Sequence, residues 1–351
     1  MIPKRIKDLS PYKTETTSCK VRLSSNELPI RFPEEVKKRI GEVVSSIPFN
    51  RYPDPYSAEL KEIIALRFGV SPNNLILGNG SDELIQYLSI SIGEFDRGVI
   101  YPIPTFPMYG ICASVLGREK IEVPLQEDFD LNLDAFINSI REKNPAIAFF
   151  SYPNNPTGNC FSEEKIRRIR EEKVFTVLDE AYYHFSGKTF LKDALSREDT
   201  VVLRTLSKIG LAGLRIGVLI AKEDIAMEIN KVRLPFNITY PSQAIAKVML
   251  AEFYFLIEEH IRMVIRERER VMKELSKLEG VKVYPSDANF FLFSTPYPAD
   301  LVHKELIKEG VLVRDVSYLP GLRGCLRVSL GFPEENDAFL EALIKVLKRL
   351  C

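Results

Sequence analysis

The chain predicts an α/β fold, a mainly parallel central sheet with helices on both faces plus a smaller α+β unit, and three observations carry that prediction. Short apolar, β-rich runs recur at residues 75–77, 98–101, 146–151, 174–178, 200–203 and 216–221. Amphipathic stretches at 82–92, 132–143 and 162–172 lie between them, and this alternation of strand and helix periods marks a parallel sheet built from βα units. After a long charged helical pattern from 242 to 279 the order changes, to strand-like runs at 281–284, 289–294, 311–313 and 325–330 with helical patterns at 299–309 and 335–349.

At 351 residues the chain is long for one hydrophobic core, so a second, smaller unit is expected. The expected division is an N-terminal arm at 1–45 joining the small domain, a large domain at 46–255 and a small C-terminal domain at 256–351. No repeat or low-complexity linker separates them, so they should pack closely. Lys+Arg and Asp+Glu both number 48, which supplies no net field for nucleic acid or a membrane surface, and any charged ligand must be recognised locally. No apolar run approaches the roughly 20 residues that span a bilayer, and the charged N-terminus has no apolar run behind it of the secretory type. Five cysteines without paired or metal-type spacing fit a reducing, cytoplasmic compartment. Three separated histidines, His184, His260 and His303, speak against a metal cluster or a Ser/His triad.

Taken in order, the strand ends carry the chemistry, because ligands of such sheets gather at the carboxyl ends of the strands. After the first strand comes Gly78-Asn79-Gly80-Ser81-Asp82-Glu83, a glycine turn into a helix. Backbone N–H groups of Gly80, Ser81 and Asp82 at that helix start can hold an anion; the Asp82 carboxylate would repel one, so its part is assigned to the main chain. Thr205, Ser207 and Arg215 add hydroxyls and a cation of the kind phosphate recognition uses. Asn155 lies in Asn-Asn-Pro-Thr-Gly at 154–158, after the run 146–151. Asp179 opens Asp-Glu-Ala-Tyr at 179–182, after 174–178. A carboxylate there is either a helix cap or the partner of a buried cation such as a protonated pyridine nitrogen. Tyr182 and Asn155 can converge on one phenolic oxygen. Lys208 interrupts a nearly uncharged, glycine-punctuated segment at 204–217, where it is either an odd core residue or a nucleophile.

These motifs, in this order and spacing, resemble the fold-type I pyridoxal-phosphate enzymes of the aspartate aminotransferase superfamily. Pro11-Tyr12, Leu23-Ser24-Ser25-Asn26-Glu27, Arg51-Tyr52-Pro53-Asp54, Val313-Arg314-Asp315 and Leu326-Arg327-Val328-Ser329 extend the resemblance, over nearly the whole chain, to the histidinol-phosphate aminotransferase family. The resemblance implies that Lys208 forms the Schiff base with pyridoxal 5'-phosphate and then moves a proton, that Asp179 holds the pyridinium nitrogen, and that Asn155 with Tyr182 bonds the ring oxygen. It implies that Tyr109 stacks on the ring and that the 46–255 domain binds the cofactor. Tyr52 would reach the phosphate across a homodimer interface with shared active sites. Arg314 and Arg327, with Tyr12 and Asn26 nearby, would face the distal phosphate or carboxylate of the small-molecule substrates. Lys208 and Arg215 stand one residue closer than is usual in the family, and Gly210 and Gly213 are the residues expected to tighten the turn. The implied reaction interconverts histidinol phosphate and 2-oxoglutarate with imidazole-acetol phosphate and glutamate, in histidine biosynthesis. An aromatic-amino-acid aminotransferase or a phosphothreonine decarboxylase would share the cofactor residues. A transcription regulator built on such a domain would need an added basic helix-turn-helix segment, and the full cofactor set argues against an inactive binding module.

Overall fold

The computed structural model describes residues 1–10 and 17–351, so the expectation for Tyr12 lies outside the described residues. Its strands are β1 (Val21–Arg22), β2 (Leu75–Asn79), β3 (Val99–Ile103), β4 (Lys120–Pro124), β5 (Ile147–Ser151), β6 (Phe175–Asp179), β7 (Thr200–Thr205), β8 (Ile216–Ile220), β9 (Lys282–Val283), β10 (Phe290–Ser294), β11 (Val311–Leu312), β12 (Arg314–Asp315) and β13 (Cys325–Ser329). Seven form the large sheet in the order β2-β8-β7-β6-β5-β3-β4. Within it β5, β7 and β8 are buried at every position. Alternate residues serve two cores: Ile147, Phe149, Val177, Val201 and Leu219 pack on one face, and Ala148, Phe150, Leu178, Val202 and Val218 on the other. Helices on both faces explain why such strands read as unbroken apolar runs.

Three features depart from the sequence reading. The edge strand β4 was not foreseen, because Lys120 and Glu122 alternate with buried residues and dilute the apolar run. The helical pattern at 242–279 is two helices, Tyr240–Ala251 and Tyr254–Leu275, broken where Phe253 turns into the core. Finally, β8 runs antiparallel to both neighbours, β2 and β7. A parallel connection needs a crossover of about a dozen or more residues, usually a helix, whereas residues 206–215 form only two 3₁₀ turns. The reversal matters for the site, since it brings the start of β8 to the carboxyl ends of the parallel strands.

The second sheet, β12-β13-β10-β9, is antiparallel and is covered by the helices Ala299–Lys308 and Pro333–Leu350. Strand β1 pairs in parallel with β11, which ties the N-terminal segment to this C-terminal unit. Leu23, Phe290, Val311 and Val328 belong to the same apolar cluster as Leu178 and Val218, so one core runs through both sheets. No helix among the described residues is long and apolar enough to cross a membrane.

Candidate active site

Strand register gathers the predicted residues at one end of the large sheet. Ser151 lies beside Asp179, Asp179 beside Leu203, Thr205 opposite Gly217, and Asn79 opposite Ile216. Asn155, Tyr182, Lys208 and Gly80 follow directly on these strand ends.

An anion cradle forms where β2, β7 and β8 end or begin. Gly80 has φ +80°, its N–H donates to the Arg215 carbonyl at 2.8 Å, and a Cβ on it would lie 2.4 Å from Arg215 Nη2. Only glycine fits there. The helix Gly80–Ser91 starts at this point; the Gly80 N–H is taken by Arg215, which corrects its expected part in the anion site, and the N–H groups of Ser81 and Asp82 that follow have no intrahelical acceptor. Arg215 Nη1 donates to Ser207 Oγ at 3.4 Å, and Thr205 Oγ1 donates to Ser207 Oγ at 3.0 Å. Arg215 Nη2 also pairs with Asp82 Oδ2 at 2.9 Å, so the Asp82 side chain orients the cation in addition to its expected main-chain part. The short Lys208 to Arg215 interval is accommodated by Gly210 at φ +90° and by Arg215 itself at φ +52°. Gly213 lies in the tight 3₁₀ turn Ala212–Leu214 without a positive φ. Left-handed backbone in a non-glycine residue costs roughly 1–2 kcal/mol, and Arg215 is held there by its bond to Gly80.

Lys208 is half-buried, and its Nζ donates to the Ser25 carbonyl at 3.3 Å and lies 5.8 Å from the Tyr182 ring centroid. Burial, then the charge of Arg327, lowers its pKa to about 8. Asp179 is buried, accepts from Tyr109 Oη at 2.8 Å and from the Ala181 N–H at 3.3 Å, and is pushed up to about 6 by burial first. Tyr182 Oη accepts from Asn26 Nδ2 at 3.0 Å, and burial raises its pKa. Asn155 Oδ1 accepts from Arg327 Nη1, and Arg327 Nη2 donates to the Ser24 carbonyl at 2.7 Å. Arg314, half-buried on β12, stands directly opposite Arg327 on β13, so both guanidinium groups leave the same face of the small sheet.

Two assignments change. Tyr109 is fully buried, with its ring stacked on Phe149 at 4.8 Å and 7°, so it has no face to offer a ligand. The half-buried aromatic of the same turn is Phe106, which meets the Tyr109 ring edge-on at 5.8 Å. Asn26 is not directed at a substrate: its Nδ2 is spent on Tyr182 and its Oδ1 accepts from Ser329 Oγ at 2.9 Å. It links the segment after β1 to Tyr182 beyond β6 and to Ser329 on β13, and holds the Tyr182 phenol. Tyr52 lies apart from these residues, 78% exposed and stacked on Phe236 at 4.4 Å.

Sequence reasoning missed what lies beneath the site. Glu180 and Arg204, each 1% exposed, pair at 3.0 Å; Thr189 Oγ1 and the Phe190 N–H also donate to Glu180, and Arg204 lies 3.6 Å over the Tyr183 ring. An arginine inside the buried run 200–205 and a second acid after Asp179 were the available signals. Ser329 had no local signal, since its role depends on a contact with a residue far away in sequence.

Comparison with known proteins agrees with this geometry. A family model for aminotransferases of class I and II matches residues 18–343. The chain is 60% identical over 350 residues to a histidinol-phosphate aminotransferase of Aquifex aeolicus, covering 100% of this chain and 99% of that one. It is 48% identical to one of Hydrogenobaculum sp., with the same coverage. Its fold matches the crystal structure of histidinol-phosphate aminotransferase from Sinorhizobium meliloti in complex with pyridoxal-5'-phosphate, at a TM-score of 0.86 and 23% identity, covering 100% of this chain and 98% of that one.

Proposed function

Because this chain belongs to the class I and II aminotransferases, we propose that it is a pyridoxal-phosphate enzyme interconverting histidinol phosphate and 2-oxoglutarate with imidazole-acetol phosphate and glutamate. Its place is histidine biosynthesis in the cytoplasm. The observation that carries the substrate class is the cross-strand pair Arg314 and Arg327. Two planar guanidinium donors on one face of the sheet suit a phosphomonoester or a carboxylate. The near relatives' names support the same reading.

The residues present fit the cofactor. The cradle of Ser81, Asp82, Thr205, Ser207 and Arg215, with Gly80 leaving the room, suits its phosphate, Asp179 its ring nitrogen, and Tyr182 with Asn155 its phenolic oxygen. When bound, the protonated pyridine supplies a sink for the electrons left as the substrate Cα–H bond breaks. Lys208 Nζ, in its neutral form, takes that proton and returns it, with the Ser25 carbonyl fixing its direction. Asp179, as a carboxylate, keeps the proton on the ring nitrogen. Asn26 and Ser329 hold Tyr182 in place, and Arg327 bridges the substrate end of the site to Asn155. The exposed Tyr52 and Phe236 support a homodimer in which Tyr52 completes the phosphate site of the partner subunit.

The test is a half-reaction screen. Histidinol phosphate should bleach the visible absorbance of the bound cofactor, and 2-oxoglutarate should restore it. Bleaching by phenylalanine alone would replace this reading with an aromatic-amino-acid aminotransferase, and carbon dioxide release from phosphothreonine with a decarboxylase. Arg314→Gln is expected to raise KM for histidinol phosphate about 10-fold or more, the scale of one charged hydrogen bond, without changing the cofactor titration; an unchanged KM would remove Arg314 from the substrate site. Gly80→Ala is expected to weaken cofactor binding about 10-fold or more, because the added Cβ displaces Arg215 and φ is positive. Titration of cofactor-free protein with pyridoxal 5'-phosphate measures it.

A further inference from the structure

Tyr109 is enclosed on every side. Phe149 covers one ring face, Phe106 and Tyr101 meet the ring at 5.8 and 6.3 Å, and the next residue, Gly110, has no room for a side chain, because a Cβ would fall 2.3 Å from Tyr101 Oη. The helix Met108–Leu116 is thereby seated at one height, with Tyr109 Oη donating to Asp179 Oδ2 at 2.8 Å. The charged groups that bear on Asp179 are Asp82, from the first turn of the Gly80–Ser91 helix, and Glu180, both acidic; the Tyr182 phenol is also close. Asp179 forms no ion pair with any described residue, so its charge depends on hydrogen bonds.

We infer that Tyr109 is a positioning residue for Asp179: its hydroxyl fixes the rotation of the carboxylate and keeps it in the ionised form that a protonated ring nitrogen requires. This rests on the assignment of Asp179 to that nitrogen. Burial and the two neighbouring acids push the Asp179 carboxyl upward, while the Tyr109 hydroxyl and the Ala181 N–H pull the other way. Buried hydrogen bonds of this charge-assisted kind are the stronger ones.

Tyr109→Phe removes the hydroxyl and keeps the stacked ring. In cofactor-free protein carrying ¹³C-labelled aspartate, the Asp179 carboxyl signal, assigned by its loss in Asp179→Asn, should titrate about one pH unit or more higher in Tyr109→Phe. An unchanged midpoint overturns the inference. In the holoenzyme the acid limb of kcat should move upward with KM for the donor unchanged. Tyr109→Phe should then add nothing in an Asp179→Asn background; an equal loss there means a purely structural role and overturns it. Should Tyr109→Phe fail to fold, 3-fluorotyrosine at position 109, a stronger donor of the same shape, should lower the midpoint, and a midpoint that stays put is decisive against the proposal. If Asp179→Asn leaves kcat intact, the assignment of Asp179 fails, while the carboxyl titration still decides the Tyr109 contact.

Discussion

Replacing Lys208 by alanine is expected to lower kcat by about 10³-fold or more, within the range that positioned acid–base groups contribute, and to abolish covalent retention of the cofactor. Lys208 lies at the junction of β6, β7 and the N-terminal segment, with a pKa brought down to about 8, by burial first and by Arg327 second. A neutral amine is what the chemistry needs, and below that pH the ammonium form predominates and cannot take a proton. In cofactor-free wild-type protein, the rate at which Nζ condenses with a small aldehyde should therefore rise with pH through about 8. Arg327→Gln should move that midpoint upward, because it removes a neighbouring positive charge. Small primary amines should restore part of the activity of Lys208→Ala by occupying the vacated volume. A Lys208→Ala enzyme that transaminates at the wild-type rate would sink the assignment.

The largest stability effect is expected from Arg204→Met, at about 3–5 kcal/mol, the usual cost of leaving one member of a buried ion pair without its partner. Glu180 is 1% exposed, and burial raises its pKa while Arg204 lowers it. Removing Arg204 leaves the raising cause unopposed. A carboxyl whose folded pKa lies above its unfolded value destabilises the fold as pH rises through the folded pKa and ceases to do so below the unfolded one. The deficit of Arg204→Met should accordingly be greater at pH 8 than at pH 5. Glu180→Gln combined with Arg204→Met should recover a substantial part, since it removes the stranded charge. Urea unfolding at the two pH values measures all of this, and an Arg204→Met midpoint equal to wild type would refute it. The pair anchors the turn from Asp179 to Tyr182, so a loss of kcat should accompany the loss of stability.

Much of the site was legible because its groups occupy strand ends, where local pattern and position coincide. Asp179 follows an apolar run and precedes a turn, Asn155 does the same, and the Gly80 turn separates a strand from a helix. The misreadings share one cause, namely side chains whose direction is set by a distant partner. Tyr109 and Phe106 sit three residues apart in one turn, and nothing local says which faces inward; Phe149 on β5 and Asp179 on β6 decide it. Asn26 looked like a polar residue available to a ligand, and Tyr182 and Ser329 consume its amide.

By itself the chain determined the fold class, the alternation of strands and helices, and the chemical groups at the strand ends. Those properties follow from hydrophobic period and turn chemistry, which act over a few residues. The tertiary structure alone decided the reversed direction of β8, the reach of Arg215 into the cradle, the facing of Arg314 with Arg327, and the burial of Glu180 with Arg204. Each of these depends on contacts between residues far apart in sequence, whose energies come from burial and pairing that no local pattern contains.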